Sequence, residues 1–274
     1  MLNKLRSITF FSDAEAKSNI KMHAARFAQL HESYLTGVFR LVHPSDAYTG
    51  FARGDHAVQQ ALASLLQKQQ HMTEHVRLKI KELERIYNVR AECRVVWSDD
   101  LQEAAVHALY SDVIMIGHPS EIYSIERLLL SSGAPVLVVP EDWKKDSVGE
   151  RIVLGWNGSH QARRAISDAM PFIANASYVS VVVVNAERYQ ERFGEDPGAD
   201  ITHYLARHGA KAELTRLTAN PGDEVTVIHQ HASDVDADML VIGAYSRARI
   251  GQILFGGVTQ SLVTNPMMPV LLAR

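Results

Sequence analysis

The chain has almost no cysteine and no long apolar run, and both absences narrow what it can be. Its 274 residues include one cysteine, Cys93, so no disulfide can form within the chain. Cys93 lies in a segment with strand-like alternation, which predicts a buried, inert thiol rather than a nucleophile. No stretch approaches the roughly 18 uninterrupted apolar residues of a transmembrane helix. The N-terminus leads into a strand-like segment without the features of a signal peptide, so we expect a cytoplasmic location.

An excess of charge of one sign is also absent. The chain has 28 lysine and arginine residues and 31 aspartate and glutamate residues, which gives a net charge of −3. Acidic and basic residues are mixed along the chain. This balance predicts neither a nucleic acid nor an anionic membrane as the main partner. Apolar residues make up 46% and charged residues 22%, which is typical of a well-packed globular protein. The length is sufficient for two domains of ordinary size.

The sequence repeats itself once. Residues 111–117 (SDVIMIG) match residues 237–243 (ADMLVIG), and the proline-led segment 134–139 matches 268–273. The opening strands, at 6–13 and 150–157, are also similar in pattern. The charged segment between the repeats lacks periodicity, which is typical of a linker. We therefore predict two domains, residues 1–140 and 150–274.

Each half alternates strands with helices five times. This pattern predicts an α/β fold of two tandem five-stranded parallel sheets with flanking helices and right-handed crossovers. Ligands of such sheets bind outside the carboxyl ends of the strands. Asn157 and Gly243 both follow predicted strand ends of this kind.

A glycine-rich segment, residues 243–259, connects a predicted strand to a helix that begins near Gly257. Such loops hold anions, because glycine lets the backbone approach closely and the helix N-terminus offers unpaired N–H groups. Arg247 and Arg249 add cations suited to phosphate oxygens. The alternative is an ordinary strand-to-helix connection with surface arginines, and the loop alone does not decide between them.

The spacing Gly243-x-x-Ser246, nine residues, then Gly256-Gly257 resembles the nucleotide loop of the universal stress protein family. The fuller family pattern is Gly-x-x-Gly, nine residues, then Gly followed by Ser or Thr. Here Ser246 replaces the second glycine and Gly257 replaces the hydroxyl residue, although Thr259 follows one turn later. The first change alters the φ angles open to the loop, and the second removes a phosphate donor.

The resemblance implies an adenine nucleotide, ATP, in the second half, with Mg²⁺ left open. It also implies that Asn157, where the family usually has Asp, contacts the adenine, and that Val183 or Val184 lines the base pocket. An amide still donates and accepts hydrogen bonds on a base edge. The resemblance assigns Gly243, Ser246, Gly256 and Gly257 to the phosphate and ribose contacts. The other predicted site residues of the loop are Arg247, Arg249, Val258 and Thr259.

The first half lacks the loop. Gly117 and Pro135 are 18 positions apart, whereas Gly243 and Pro269 are 26 apart, and the missing 8 residues remove the paired glycines and the arginines. We therefore interpret the first half as a degenerate domain with a structural or partner role.

Other candidate sites have simpler explanations. His71 and His75 have the spacing of two metal ligands on a helix, but no third ligand is evident and a solvated helix face is the simpler interpretation. No Walker A or Gly-x-Ser-x-Gly sequence occurs. Asp13, Asp112 and Asp238 are candidate catalytic acids in principle, but helix capping and loop hydrogen bonds explain them more simply.

The resemblance covers nearly the whole chain and implies a nucleotide-binding regulatory protein of the stress response that acts by occupancy. Family members commonly pair through the fifth strand of each domain, so we expect an internal pseudo-dimer through residues 136–139 and 270–272. A homodimer through edge strands is a further expectation. Two alternatives stay open: a slow ATPase, and a ligand-free interaction module.

Overall fold

The structure is a computed structural model. It describes residues 4–14, 19–41, 56–96, 101–118, 124–194, 196–244 and 257–274. The strands are β1 (Ser7–Asp13), β2 (Tyr34–Arg40), β3 (Arg90–Val96), β4 (Val113–His118), β5 (Val136–Pro140), β6 (Arg151–Gly155), β7 (Tyr178–Val184), β8 (Ala212–Leu217), β9 (Met239–Gly243) and β10 (Val270–Ala273). The helices are α1 (Ile20–His31), α2 (His56–Tyr87), α3 (Leu101–Val106), α4 (Ile125–Ser132), α5 (His160–Asp168), α6 (Met170–Ile173), α7 (Gln190–Phe193), α8 (Ala199–Arg207), α9 (Glu224–Asp234) and α10 (Gly257–Thr264).

The two halves have the same strand order. The described strands form one sheet in the order β3-β2-β1-β4-β5-β10-β9-β6-β7-β8. Within each half all neighbours are parallel, and the first strand lies between the second and the fourth. The strand order therefore changes direction beside β1 and again beside β6. In α/β sheets such a change leaves a crevice at the carboxyl ends of the strands. The predicted α/β fold with two five-stranded parallel units is confirmed.

The halves are joined by their fifth strands. β5 and β10 pair antiparallel, with Leu137 opposite Leu271 and Val138 opposite Val270. This pairing gives hydrogen-bond partners to the backbone N–H and C=O groups that β5 and β10 would otherwise expose at a sheet edge. It confirms the internal pseudo-dimer, and it leaves β3 and β8 as the two edges of the sheet.

Helices cover both faces of the sheet, which explains why the central strands are apolar on both sides. One apolar cluster packs α1, α2, α5 and α8 against the sheet, and a second packs α3, α4, α9 and α10 against the opposite face. β7 shows the consequence, because five consecutive residues of this strand are buried. None of the described helices is both long enough and apolar enough to cross a membrane.

Two aspartates have the same structural role in the two halves. Asp112 accepts hydrogen bonds from the backbone N–H groups of Arg6 and Ser7, where the chain enters β1. Asp238 accepts from Glu150 and Arg151, where the chain enters β6. These contacts support loop hydrogen bonding, rather than catalysis, as the reason for both carboxylates.

Cys93 differs from the expectation. It is half-buried rather than buried, because β3 is an edge strand with a neighbour on one side only. Burial nevertheless raises the pKa of its thiol above the ordinary value, with Arg77 acting in the opposite direction. The raised pKa agrees with the predicted lack of nucleophilic character.

Candidate functional site

A crevice lies at the carboxyl ends of β6, β7 and β9. It contains a cavity of about 280 Å³, close to the lower end of the roughly 300–1,000 Å³ usual for ligand pockets. Its apolar lining comes from Val182, Ile228, Ile242 and Leu262. Its polar lining comes from Asn157, Asn185, Arg188, Glu224 and Thr259. An apolar lining with a few polar groups is typical of a site for a small organic ligand.

Gly243 ends β9 directly against the N-terminus of α5. A Cβ on Gly243 would lie 2.5 Å from the backbone nitrogen of Ala162 and 2.5 Å from the carbonyl carbon of Gln161. Only glycine permits this approach. Ser159 caps α5, with its Oγ accepting a hydrogen bond from Ala162 N at 3.1 Å. Gly243 therefore brings a capped helix N-terminus to the wall of the cavity.

The N-terminus of α10 forms another wall. Gly257, Val258 and Thr259 line the cavity, and the Thr259 hydroxyl donates to the carbonyl oxygen of Gly243 at 3.4 Å. Gly257 does not have a positive φ, and a Cβ there would meet no atom of the described residues within 4 Å. The described part of the chain therefore gives no packing reason for glycine at position 257.

Asn157 lies in the turn between β6 and α5. Its Oδ1 accepts a hydrogen bond from Ser159 N at 3.1 Å, which fixes the turn before the helix cap. The oxygen keeps a second lone pair, so the side chain can still accept a hydrogen bond through Oδ1 and donate one through its amide nitrogen to a ligand.

Val183 is on the wrong side of its strand to line a base pocket. Val182 and Val184 line the cavity, whereas a methyl group of Val183 lies near Gly198 on the opposite face of the sheet. Successive residues of a strand point to opposite faces, so Val183 and its neighbours cannot share a site. Val184, which the sequence offered as the alternative to Val183, does line the cavity.

Asn185 organises the segment after β7, and the sequence analysis missed it. This buried residue has a left-handed backbone, with φ of 53°. Its Nδ2 donates to Ala219 O at 3.0 Å and its Oδ1 accepts from Ala219 N at 2.9 Å. Asn tolerates this conformation better than most residues. The chain turns here into a 3-10 helix (Ala186–Tyr189) that carries Arg188 and Tyr189 to the cavity.

Glu224 and Arg188 face each other at the rim. Glu224 is the first residue of α9, and its Oε2 accepts a hydrogen bond from Gly222 N at 2.9 Å. Its Oε1 lies 4.0 Å from Nη1 of Arg188, at the limit of an ion pair. Arg188 is therefore a cation at the cavity whose ion pair with Glu224 is weak.

Comparison with known proteins identifies the family of the second half. A model of the Universal stress protein family matches residues 149–274. These residues belong to the universal stress protein family. The Stress response protein NhaX of Bacillus subtilis (strain 168) is 27% identical over 86 residues, which are 31% of this chain and 49% of NhaX. The match thus spans about half the length of that curated relative.

Solved structures show that the fold extends over both halves. A universal stress protein from Archaeoglobus fulgidus DSM 4304 superposes with a TM-score of 0.66 at 12% identity, covering 98% of each chain. A functionally unknown protein from Pseudomonas aeruginosa PAO1 has a TM-score of 0.60 at 17% identity, covering 98% of this chain and 92% of the other. At such identities the similarity concerns the fold alone.

Four of the predicted site residues, Ser246, Arg247, Arg249 and Gly256, lie outside the described residues. His231 of α9 does not line the cavity, because its Nε2 lies 2.9 Å from the hydroxyl of buried Ser180 in a structural contact. Within the described part of the chain, no group of three metal-ligating side chains comes together.

Proposed function

We propose that the universal stress protein domain binds one adenine nucleotide, ATP, in the crevice beside Gly243, and that the protein acts in a stress response through the occupancy of this site. The observation that carries the proposal is the meeting of β9 and the N-terminus of α10 at one cavity. The helix N-terminus favours negative charge, and the apolar lining nearby suits a base.

The arrangement of side chains supports a nucleoside with its phosphates toward α10. The Asn157 amide nitrogen would donate to the base or ribose, and Val182 and Val184 would contact the base. Gly257 and Thr259 would hold phosphate oxygens through the backbone and the hydroxyl group. Arg188 offers a guanidinium group to an anion at the rim. Mg²⁺ would neutralise phosphate charge if it accompanies the nucleotide.

We also propose that residues 1–140 and 150–274 are the two domains and that the first holds no nucleotide. The cytoplasm remains the expected location. A homodimer, if formed through strand edges, would use β3 or β8, because β5 and β10 already pair with each other.

The test is native mass spectrometry of the freshly purified chain, followed by calorimetry with ATP. We expect one ATP per chain. Gly257→Val should weaken binding by at least about tenfold, because the added side chain would crowd the phosphate rather than the protein. Gln260→Val is the matched control, since Gln260 is exposed on the same helix and does not line the cavity.

Each outcome decides between the candidates. Two equivalent sites per chain would overturn the degenerate first half. Absence of binding to the parent protein would favour a ligand-free interaction module. Equal ATP affinity of Gly257→Val and the parent would place the phosphates elsewhere.

A further inference from the structure

Four basic side chains form a single stripe on α2. Lys68, His71, His75 and Lys79 are separated by three, four and four residues, a spacing that places them on one face of a helix. The stripe is about 16 Å long, at about 1.5 Å per residue. All four side chains line a cavity of about 700 Å³ that also contacts Ala14, the residue directly after β1.

A lysine from α1 adds to the positive charge at one end of the stripe. The charge of Lys79 acts on Lys21, and the pKa of Lys21 is lowered to about 8. Burial is the larger cause and the charge of Lys79 the second, whereas the carboxylate of Asp13 raises the pKa. Two amines are thus held close together and partly removed from water beside one carboxylate.

The rest of the cavity lining does not balance this charge. Among the described residues that line the cavity, none is acidic, and the others are Ala14, Ser64, Gln67 and Met72. The ammonium groups of Lys68 and Lys79 give this surface a positive potential, which attracts anions.

We propose that this cavity, the α2 cationic cavity, is a second ligand site for an anion that carries several phosphate groups. Lysine ammonium and imidazole N–H groups donate charge-assisted hydrogen bonds to phosphate oxygens. The length of the stripe matches a chain of phosphates better than a single one. The cavity adjoins the carboxyl end of β1, where α/β sheets bind ligands.

The site is distinct from the proposed nucleotide crevice. α2 packs in the apolar cluster of α1, α5 and α8, whereas α9 and α10 of the nucleotide crevice pack on the other face of the sheet. The two sites also belong to different halves of the chain. Binding in the α2 cationic cavity therefore does not depend on whether the nucleotide proposal holds.

The experiment is calorimetric titration of the full chain with inorganic tripolyphosphate, with inorganic phosphate as a second probe. The double variant Lys68→Gln/Lys79→Gln removes two cations from the cavity, and Lys68→Gln alone guards against a folding defect. The control, Lys81→Gln, makes the same change on the same helix at an exposed lysine that does not line the cavity.

We expect saturable binding of tripolyphosphate to the parent and a loss of at least about tenfold in the double variant. The single variant should show a smaller loss, and Lys81→Gln should stay within about twofold of the parent. Binding should persist in Gly257→Val, because that variant alters only the proposed nucleotide crevice. The proposal is overturned if the parent does not bind, if the double variant binds equally well, if Lys81→Gln is weakened as much, or if Gly257→Val abolishes binding.

Discussion

Gly243 and Ala162 lie so close together that a Cβ on Gly243 would come within 2.5 Å of the Ala162 backbone nitrogen. One residue ends β9 and the other belongs to the first turn of α5. The contact therefore connects a strand end to a helix start at the wall of the proposed nucleotide site. Glycine at this position has a packing role besides any role toward a ligand.

Gly243→Ala should therefore destabilise the fold. The added methyl group meets backbone atoms that cannot rotate away, so we expect a loss of about 1–3 kcal/mol in the free energy of unfolding. Denaturant unfolding measures this loss. Gly257→Ala is the control, because a Cβ there meets none of the described residues, and its stability should equal that of the parent. Equal stability of the two variants would contradict the packing role.

Asn185→Ala should lower both stability and ATP affinity. The change removes both hydrogen bonds to Ala219 and places alanine at a positive φ, so we expect a cost of about 1–3 kcal/mol. Affinity should fall because Asn185 positions Arg188 and Tyr189 at the cavity. Asn185→Gly separates the causes, since glycine accepts the φ angle but makes no side-chain contact. If Asn185→Gly matches the parent, the side-chain bonds are unimportant.

The pH dependence of stability should include a contribution from His31. This residue packs against Phe27 of its own helix and Phe172 of the second half. Burial, followed by the charge of Lys4, lowers the pKa of His31 from 6.5 to about 4. Between these values the unfolded chain binds a proton that the folded chain does not. Stability is therefore complete above about pH 6.5 and falls as the pH drops toward 4.

The measurement is thermal unfolding from pH 7.5 to 4 for the parent and for His31→Leu, which does not titrate. The parent should lose more stability than the variant over this range. His23, whose pKa is also lowered mainly by burial, should contribute in the same direction. Parallel pH profiles for the parent and His31→Leu would show that His31 does not contribute.

ATP hydrolysis, if any occurs, should be slow. Within the described cavity the carboxylate of Glu224 already accepts from Gly222 N and faces Arg188, so it is not placed as a free base. The Thr259 hydroxyl donates to Gly243 O rather than to an activating group. We expect turnover well below the roughly 1–10³ per second typical of enzymes. Single-turnover assays with labelled ATP and magnesium measure it, and about one per second, lost in Arg247→Ala, would favour an enzyme.

Much of the fold could be predicted because its signals are local. The matching segments at 111–117 and 237–243 are β-branched and apolar runs that end in glycine, and both became central strands. The proline-led segments became β5 and β10. Their pairing with each other was predicted from the family resemblance, since periodicity along a chain carries no information about which edges meet. The antiparallel direction of the pairing was not predicted.

The candidate site was only partly predictable, for a different reason. A run of four valines does not reveal which of them faces the cavity. The pairing of β7 with β6 and β8 fixes the strand so that Val182 and Val184, and not Val183, face the cavity. The left-handed turn at Asn185 also escaped notice, because its partner Ala219 is 34 residues away. An asparagine outside a glycine or proline turn is a weak local signal.

The sequence by itself determined the repeat, the alternation of strands and helices, and the family of the second half, because these depend on residue types at short spacing. Only the tertiary structure decided that Gly243 serves the packing of α5 and that Lys21 joins the stripe on α2. Both depend on atoms from distant segments coming within contact distance. Such approaches follow from how helices pack on a twisted sheet, and no spacing within one segment encodes them.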